Sequence, residues 1–150
     1  IFSSSTLAFD PRVIKAKEEL KRIGKIRLIQ GNAPGSWENY SIHLVDCFLK
    51  IFGKLFILND YSVENNNNLV SFKGNLKSGA QIEMNCLGGF ASPLRITIIG
   101  SEGFYDIDFK DPYNAFKNAL ELFTKNIKKK SILRSEEEIV RSINLISLGI

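Results

Sequence analysis

Apolar residues recur along this chain at two spacings, and the change from one to the other divides it. Val13, Ala16, Leu20 and Ile23 repeat at helical spacing behind Asp10-Pro11, an N-cap followed by a proline at the first helical position, and Gly24 closes the segment. Lys25 to Gln30 alternates charged and apolar residues and reads as a strand running into the loop Gly31-Asn32-Ala33-Pro34-Gly35-Ser36. Trp37 to Gly53 reads as one helix closed by its glycine. Tyr40, Leu44, Val45, Phe48, Leu49, Ile51 and Phe52 cover most of its circumference, while Asn39, His43, Asp46 and Lys50 fall within an arc of about 60°. A helix apolar nearly all round is buried, and buried polar groups are costly unless paired. The narrow polar stripe is therefore expected to face an internal partner, a cleft or a ligand.

Beyond Gly53 the period falls to two. Lys54 to Val63 is rich in β-formers, and Glu64-Asn65-Asn66-Asn67-Asn68 is expected to be a mobile loop. Val70 and Phe72 alternate with polar residues, as do Ala80, Ile82, Met84 and Cys86 beyond the Ser78-Gly79 turn. Leu94, Ile96 and Ile98 follow the breaks at Gly88-Gly89 and Ser92-Pro93, and Gly100-Ser101-Glu102-Gly103 turns into Phe104 to Phe109. The short connections predict an antiparallel meander. Asp111-Pro112 then opens a helix whose stripe of Tyr113, Phe116, Leu120, Phe123 and Ile127 is expected in the core. Ser135 with Glu138 forms a capping box before a last helix through Ile139, Ile143 and Ile146. A run of strands followed by helices predicts an α+β fold, a mainly antiparallel open sheet with helices packed on one face. Its second face, carrying Gln81, Glu83, Asn85, Arg95, Thr97, Asp106 and Asp108, is left to water or another subunit.

With 150 residues, 44% of them hydrophobic and 24% charged, the chain suits one domain spanning residues 1–150. No apolar run reaches the roughly eighteen residues of a membrane span, and Ile1-Phe2-Ser3-Ser4-Ser5 lacks the basic leader of a signal peptide, so a soluble, cytoplasmic protein is expected. The only methionine is Met84, which leads us to expect a piece of a longer protein. The most conspicuous source of the net charge of +4 is one cluster, Lys125, Lys128, Lys129 and Lys130, with Arg134 beyond. Such a cluster complements a helix C-terminus, and without interleaved aromatics it gives no nucleic-acid signature. Cys47 and Cys86 are isolated and His43 is the only histidine, so no metal site is expected. Neither a GxGxxG turn nor a GxxxxGK[ST] loop occurs, and no cofactor is expected on this chain alone.

Three stretches carry a resemblance: Ser5-Thr6-Leu7-Ala8-Phe9-Asp10-Pro11, the Gly35 to Gly53 segment with His43 and Asp46, and Ile98-Ile99-Gly100-Ser101-Glu102-Gly103-Phe104. In order and spacing the chain resembles the C-terminal domain of the glucose-fructose oxidoreductase, inositol dehydrogenase and MocA (Gfo/Idh/MocA) family, of the dihydrodipicolinate reductase-like type. The resemblance implies a substrate-binding and dimerisation domain of an NAD(P)-dependent oxidoreductase acting on a sugar, sugar derivative or polyol. It implies an N-terminal Rossmann domain as partner, which would hold NAD or NADP and supply the lysine of a Glu-Lys-Pro motif that has no match here. It implies a homodimer formed through the open sheet face. His43 matches the family's proton-transfer histidine, and imidazole titrates near the working pH of such chemistry. Two departures stand out: Asn39 occupies the place of a common aspartate, and Ala8 that of a common arginine. Tyr40 or Asp46 would then orient His43, and Trp37 with Tyr40 would line a sugar-sized pocket or belong to the core. The alternative is a non-catalytic ligand-binding or assembly module that kept the fold.

Overall fold

The computed structural model describes residues 4–129, 131 and 134–150. A 3-10 turn, Thr6–Phe9, precedes α1 (Pro11–Glu19), β1 (Ile26–Ala33) and α2 (Trp37–Phe52). After a second short turn, Gly53–Leu55, come β2 (Leu58–Asn66), β3 (Leu69–Leu76), β4 (Gln81–Cys86), β5 (Arg95–Gly100) and β6 (Phe104–Asp108), then α3 (Tyr113–Lys129) and α4 (Glu136–Ser147). The strands form one six-stranded sheet in the order β2-β3-β4-β1-β5-β6. Its pairs are antiparallel except β1 with β4, which run parallel. The fold is thus α+β with a mixed, mainly antiparallel open sheet.

The expected meander is interrupted, because β1 lies between β4 and β5. Its position follows from its residues. Gly31 and Ala33, expected in a loop, are part of the strand and bring α2 close to the sheet: a Cβ on Gly31 would lie 2.9 Å from Leu44 and Phe48. Ile29, Phe72, Ile82, Met84, Ile96 and Ile98 are buried beneath α2, with Trp37, Leu44 and Phe48 opposite. Each such side chain stabilises the fold by about 1.5–3 kcal/mol through burial.

On the outer face several polar side chains pair across neighbouring strands. Gln30 donates to Glu83 at 2.9 Å, Asn85 to Asn32 at 3.0 Å and Thr97 to Asp106 at 2.7 Å, while Arg95 stands 3.3 Å from both Asp106 and Asp108. The asparagine run is a hairpin rather than a loop. β2 continues through Asn66, and Asn67 and Asn68, with φ of 50° and 70°, make the two-residue turn into β3. Two positive φ values match the twist of a hairpin, and asparagine tolerates them best after glycine.

The third helix departs most from expectation. Tyr113, Phe116, Leu120, Phe123 and Ile127 are 67%, 57%, 54%, 37% and 60% exposed and do not enter the core. The buried side of α3 is made of small residues instead: Ala119 and Leu122 pack on Ala8 and Phe9, and Ala115 joins the main core. Alanines permit close approach to the 3-10 turn, which turns the large side chains outward. α4 has its capping box, Ser135 accepting from the Glu138 N–H and Glu138 from the Ser135 N–H. Its fully buried residue is Ser142, whereas Ile143 is exposed. Lys125, Lys128 and Lys129 are exposed in the last turns of α3, and Lys130 lies outside the described residues.

Candidate functional site

The polar stripe of α2 meets three different surroundings. At its ends Asn39 and Lys50 are exposed: Asn39 donates to Ser36 at the helix N-cap, 3.1 Å away, and Lys50 lies 5.4 Å over the Phe9 ring. Between them His43 is half-buried and Asp46 is buried. The side chain of Asn39 is thus turned to the helix start, one turn away from the imidazole.

Asp46 is the centre of a knot of donors. It accepts from the Ser5 N–H at 2.7 Å, the Ser4 hydroxyl at 3.0 Å, the Ser142 hydroxyl at 2.7 Å, and both ends of the Arg134 guanidinium at 3.1 and 2.8 Å. These contacts tie α2 to the segment before the first turn and to α4. Arg134 is no part of a solvated basic cluster. Its side chain is only 12% exposed, and it also donates to the Glu138 carbonyl and to Ser142. Buried charges are kept by pairing of this kind.

Through Ser5 the knot reaches His43. The Ser5 hydroxyl lies 2.8 Å from His43 Nδ1 and accepts from the Leu7 N–H at 3.2 Å. Ser5 is buried, so its own proton needs an acceptor, and Nδ1 is the one in reach. The neutral ring then carries its proton on Nε2. That nitrogen has no hydrogen-bond partner among the described residues, and the side chain that carries it is half-buried. Burial lowers the His43 pKa below its ordinary 6.5, and the nearby Asp46 charge partly opposes the shift. The ring is therefore neutral near pH 7 and able to donate to an oxygen from Nε2. It can also receive a proton there once the Ser5 hydroxyl rotates to accept from Nδ1.

Tyr40 meets His43 edge to face, with ring centroids 5.5 Å apart. The Tyr40 ring occupies the space beside Gly35, where an added Cβ would come within 1.9 Å of it. Gly35 and Pro34 in turn accept from the Gly88 and Gly89 N–H groups, so Tyr40 braces the loop beside the histidine. The same packing fills the space beside Gly35 in the turn between β1 and α2. Trp37 is fully buried, stacked on Phe72 at 6.0 Å and donating from Nε1 to the Ile146 carbonyl at 2.7 Å. It ties α2 to α4 and presents no surface to a pocket. A cavity of about 290 Å³ lies on the other side of the knot, lined by Ser4, Phe9, Lys17, Asp46, Lys50 and Arg134 among others, but not by His43.

The sequence reading did not single out Ser4, Ser5, Arg134 or Ser142 as site residues. Ser142 left a trace: it interrupts the apolar positions Ile139 and Ile146 on one face of α4. Arg134 adjoins the Ser135 cap, but nothing local points it at Asp46, 88 residues away.

No protein-family model matches the chain, and no curated protein matches it in sequence. Solved structures do. A myo-inositol dehydrogenase from Corynebacterium glutamicum superposes with a TM-score of 0.72 at 17% identity, over 95% of this chain and 59% of that one. A scyllo-inositol dehydrogenase from Lactobacillus casei, solved with NAD(H) and scyllo-inositol, gives 0.74 at 14% identity over 99% and 61%. A mutant form of a 3-ketoreductase from Actinomadura kijaniata, solved with TDP-benzene and NADP, gives 0.77 at 10% identity over 99% and 60%. The chain spans about 60% of the length of these structures. Its fold is that of the C-terminal α+β domain of inositol dehydrogenases and related oxidoreductases of the Gfo/Idh/MocA family.

Proposed function

We propose that this chain is the substrate-binding and dimerisation domain of an NAD(P)-dependent oxidoreductase that acts on a sugar, sugar derivative or polyol in the cytoplasm. The observation that carries the reading is His43, half-buried and held at Nδ1 by Ser5, with no hydrogen-bond partner for Nε2 among the described residues. Interconverting an alcohol and a carbonyl moves a proton as well as a hydride, and an imidazole neutral near pH 7 is suited to the proton. NAD or NADP, which supplies or accepts the hydride, would be held by a preceding nucleotide-binding domain rather than by residues of this chain. His43 binds and polarises the reacting oxygen from Nε2, Ser5 holds the ring, and Tyr40 braces the loop beside it. The dimer would pair two outer sheet faces, with polar ladders meeting rather than apolar cores. The mass in solution tests that point, since a monomeric natural gene product contradicts it.

The competing reading, a non-catalytic binding or assembly module, draws on Asn39, which bonds to Ser36 and lends no charge to the imidazole. One substitution separates the two. In the natural gene product, His43→Ala is expected to lower kcat by roughly ten- to ten-thousand-fold, the range of a lost acid-base group. Unchanged turnover in a folded variant would establish that His43 has no part in the chemistry.

A further inference from the structure

The cavity of about 290 Å³ behind the Asp46 knot carries more charge than the knot uses. Five basic and three acidic side chains line it, an excess of two positive charges. Half of them are committed: Asp46 is paired with Arg134, Arg141 donates to the Gly53 and Phe56 carbonyls, and Glu138 accepts from the Ser135 N–H. Lys17, Lys50 and Lys54 remain, with Glu137 as the carboxylate left to oppose them, and none of these four is ion-paired among the described residues. We propose that this cavity binds a phosphate dianion, free or carried by a small ester, at a site that His43 does not line and that is independent of the function proposed above.

The three lysines come from three elements. Lys17 and Lys50 stand in the last turns of α1 and α2, where a helix dipole favours cations, and Lys54 in the Gly53–Leu55 turn. That preference accounts for each lysine alone and not for three on one cavity, where like charges repel and Lys50 and Lys54, four residues apart, destabilise one another. A bound dianion turns the repulsion into attraction. Lys50 is already placed for it: its Nζ stands 5.4 Å over the Phe9 ring, which is itself part of the wall, so the ammonium group is held at the cavity. Charge selects phosphate. A phosphate monoester has its second pKa near about 6 and is doubly charged at neutral pH, matching the excess on the wall, whereas a carboxylate carries one charge. Lysine binds phosphate as a point charge and needs no fork geometry to do so. A volume of about 290 Å³ lies at the lower end of small-molecule sites and leaves room for a few carbon atoms beside the phosphate, against Ala8, Phe9 and Leu49.

Calorimetric titration of the natural gene product at about pH 7.5, where a phosphate monoester is a dianion, reads the site with inorganic phosphate, glycerol 3-phosphate and glycerol as probes. Saturable binding of a phosphate probe with a Kd of about 1 mM or below is expected, and none of glycerol. Tighter binding of glycerol 3-phosphate assigns the site to an ester, and tighter binding of inorganic phosphate assigns it to the free ion. Lys50→Gln should weaken that binding about tenfold or more, the loss of one charge-assisted contact. Glu137→Gln should tighten it severalfold, because the opposing carboxylate is gone, and a gain of affinity is not something a misfolded variant can imitate. Phosphate binding that either substitution leaves unchanged lies elsewhere in the gene product and overturns the proposal. Glycerol binding as tight as that of its phosphate, or no saturation by either phosphate probe below about 10 mM, overturns it as well.

Discussion

Replacing Asp46 by asparagine is expected to cost about 3–5 kcal/mol of folding stability, although the two side chains have the same shape. The carboxylate is 1% exposed and accepts five hydrogen bonds, two of them from a guanidinium that is itself only 12% exposed. Asparagine offers one acceptor oxygen and an amide that can only donate. Whichever way it turns, an N–H faces either the Ser5 N–H or Arg134, and the buried guanidinium loses its counter-charge. Hydrogen bonds to charged groups contribute about 1.5–3 kcal/mol each, so losing two of them agrees with the cost of breaking a buried ion pair. For a domain of this size about 3 °C accompanies each kcal/mol, which puts the fall in melting temperature near 10 °C. Urea titration of Asp46→Asn, Arg134→Met and the double variant completes a thermodynamic cycle. The double variant should recover part of the loss, because an apolar side chain carries no unmet charge. A cost below about 1 kcal/mol for Asp46→Asn, or no coupling within the cycle, would refute the knot as a buried and mutually dependent unit. The variant also separates stability from site geometry. His43 is the only histidine, so its nitrogen resonances are unambiguous, and they should move when the Ser5 N–H loses its anchor.

Two further outcomes follow from the same geometry. The His43 pKa is lower folded than unfolded, so the unfolded chain binds more protons as the pH falls below about 6.5. The stability this contributes is complete above that pH and is lost as the pH falls through the folded value. Wild type should therefore lose more stability than His43→Gln between pH 7 and pH 5, and parallel pH profiles would contradict the shift. Gly35→Ala should destabilise by about 1–3 kcal/mol, because its methyl would overlap the Tyr40 ring. A second substitution, Tyr40→Ser, should recover part of that loss in a thermal melt, and failure to do so would remove Tyr40 as the brace of the loop.

How far the sequence foretells this molecule depends on the kind of information each feature needs. The helix from Trp37 to Phe52 and the Asp10-Pro11 start are local, since an N-cap, a proline and a glycine act within one turn, and they were legible, whereas the helix after Asp111-Pro112 begins only at Tyr113, past its proline. The Asn67-Asn68 turn was obscured because a polar run reads as a loop until its length is matched to the strands on either side. The place of β1 beside β4 joins residues more than 50 apart, and the period of two says which face is buried without saying which strand is adjacent. The Asp46 knot is the same problem in polar form. Nothing near Arg134 or Ser142 names an aspartate on another helix, and only the burial of that aspartate requires such partners to exist. α3 sharpens the lesson. Its large apolar side chains and its alanines both recur with a helical period, and the alanines won the inner side because they fit closely against Ala8 and Phe9. Periodicity locates an apolar face but cannot say whether this chain or something joined to it provides the cover.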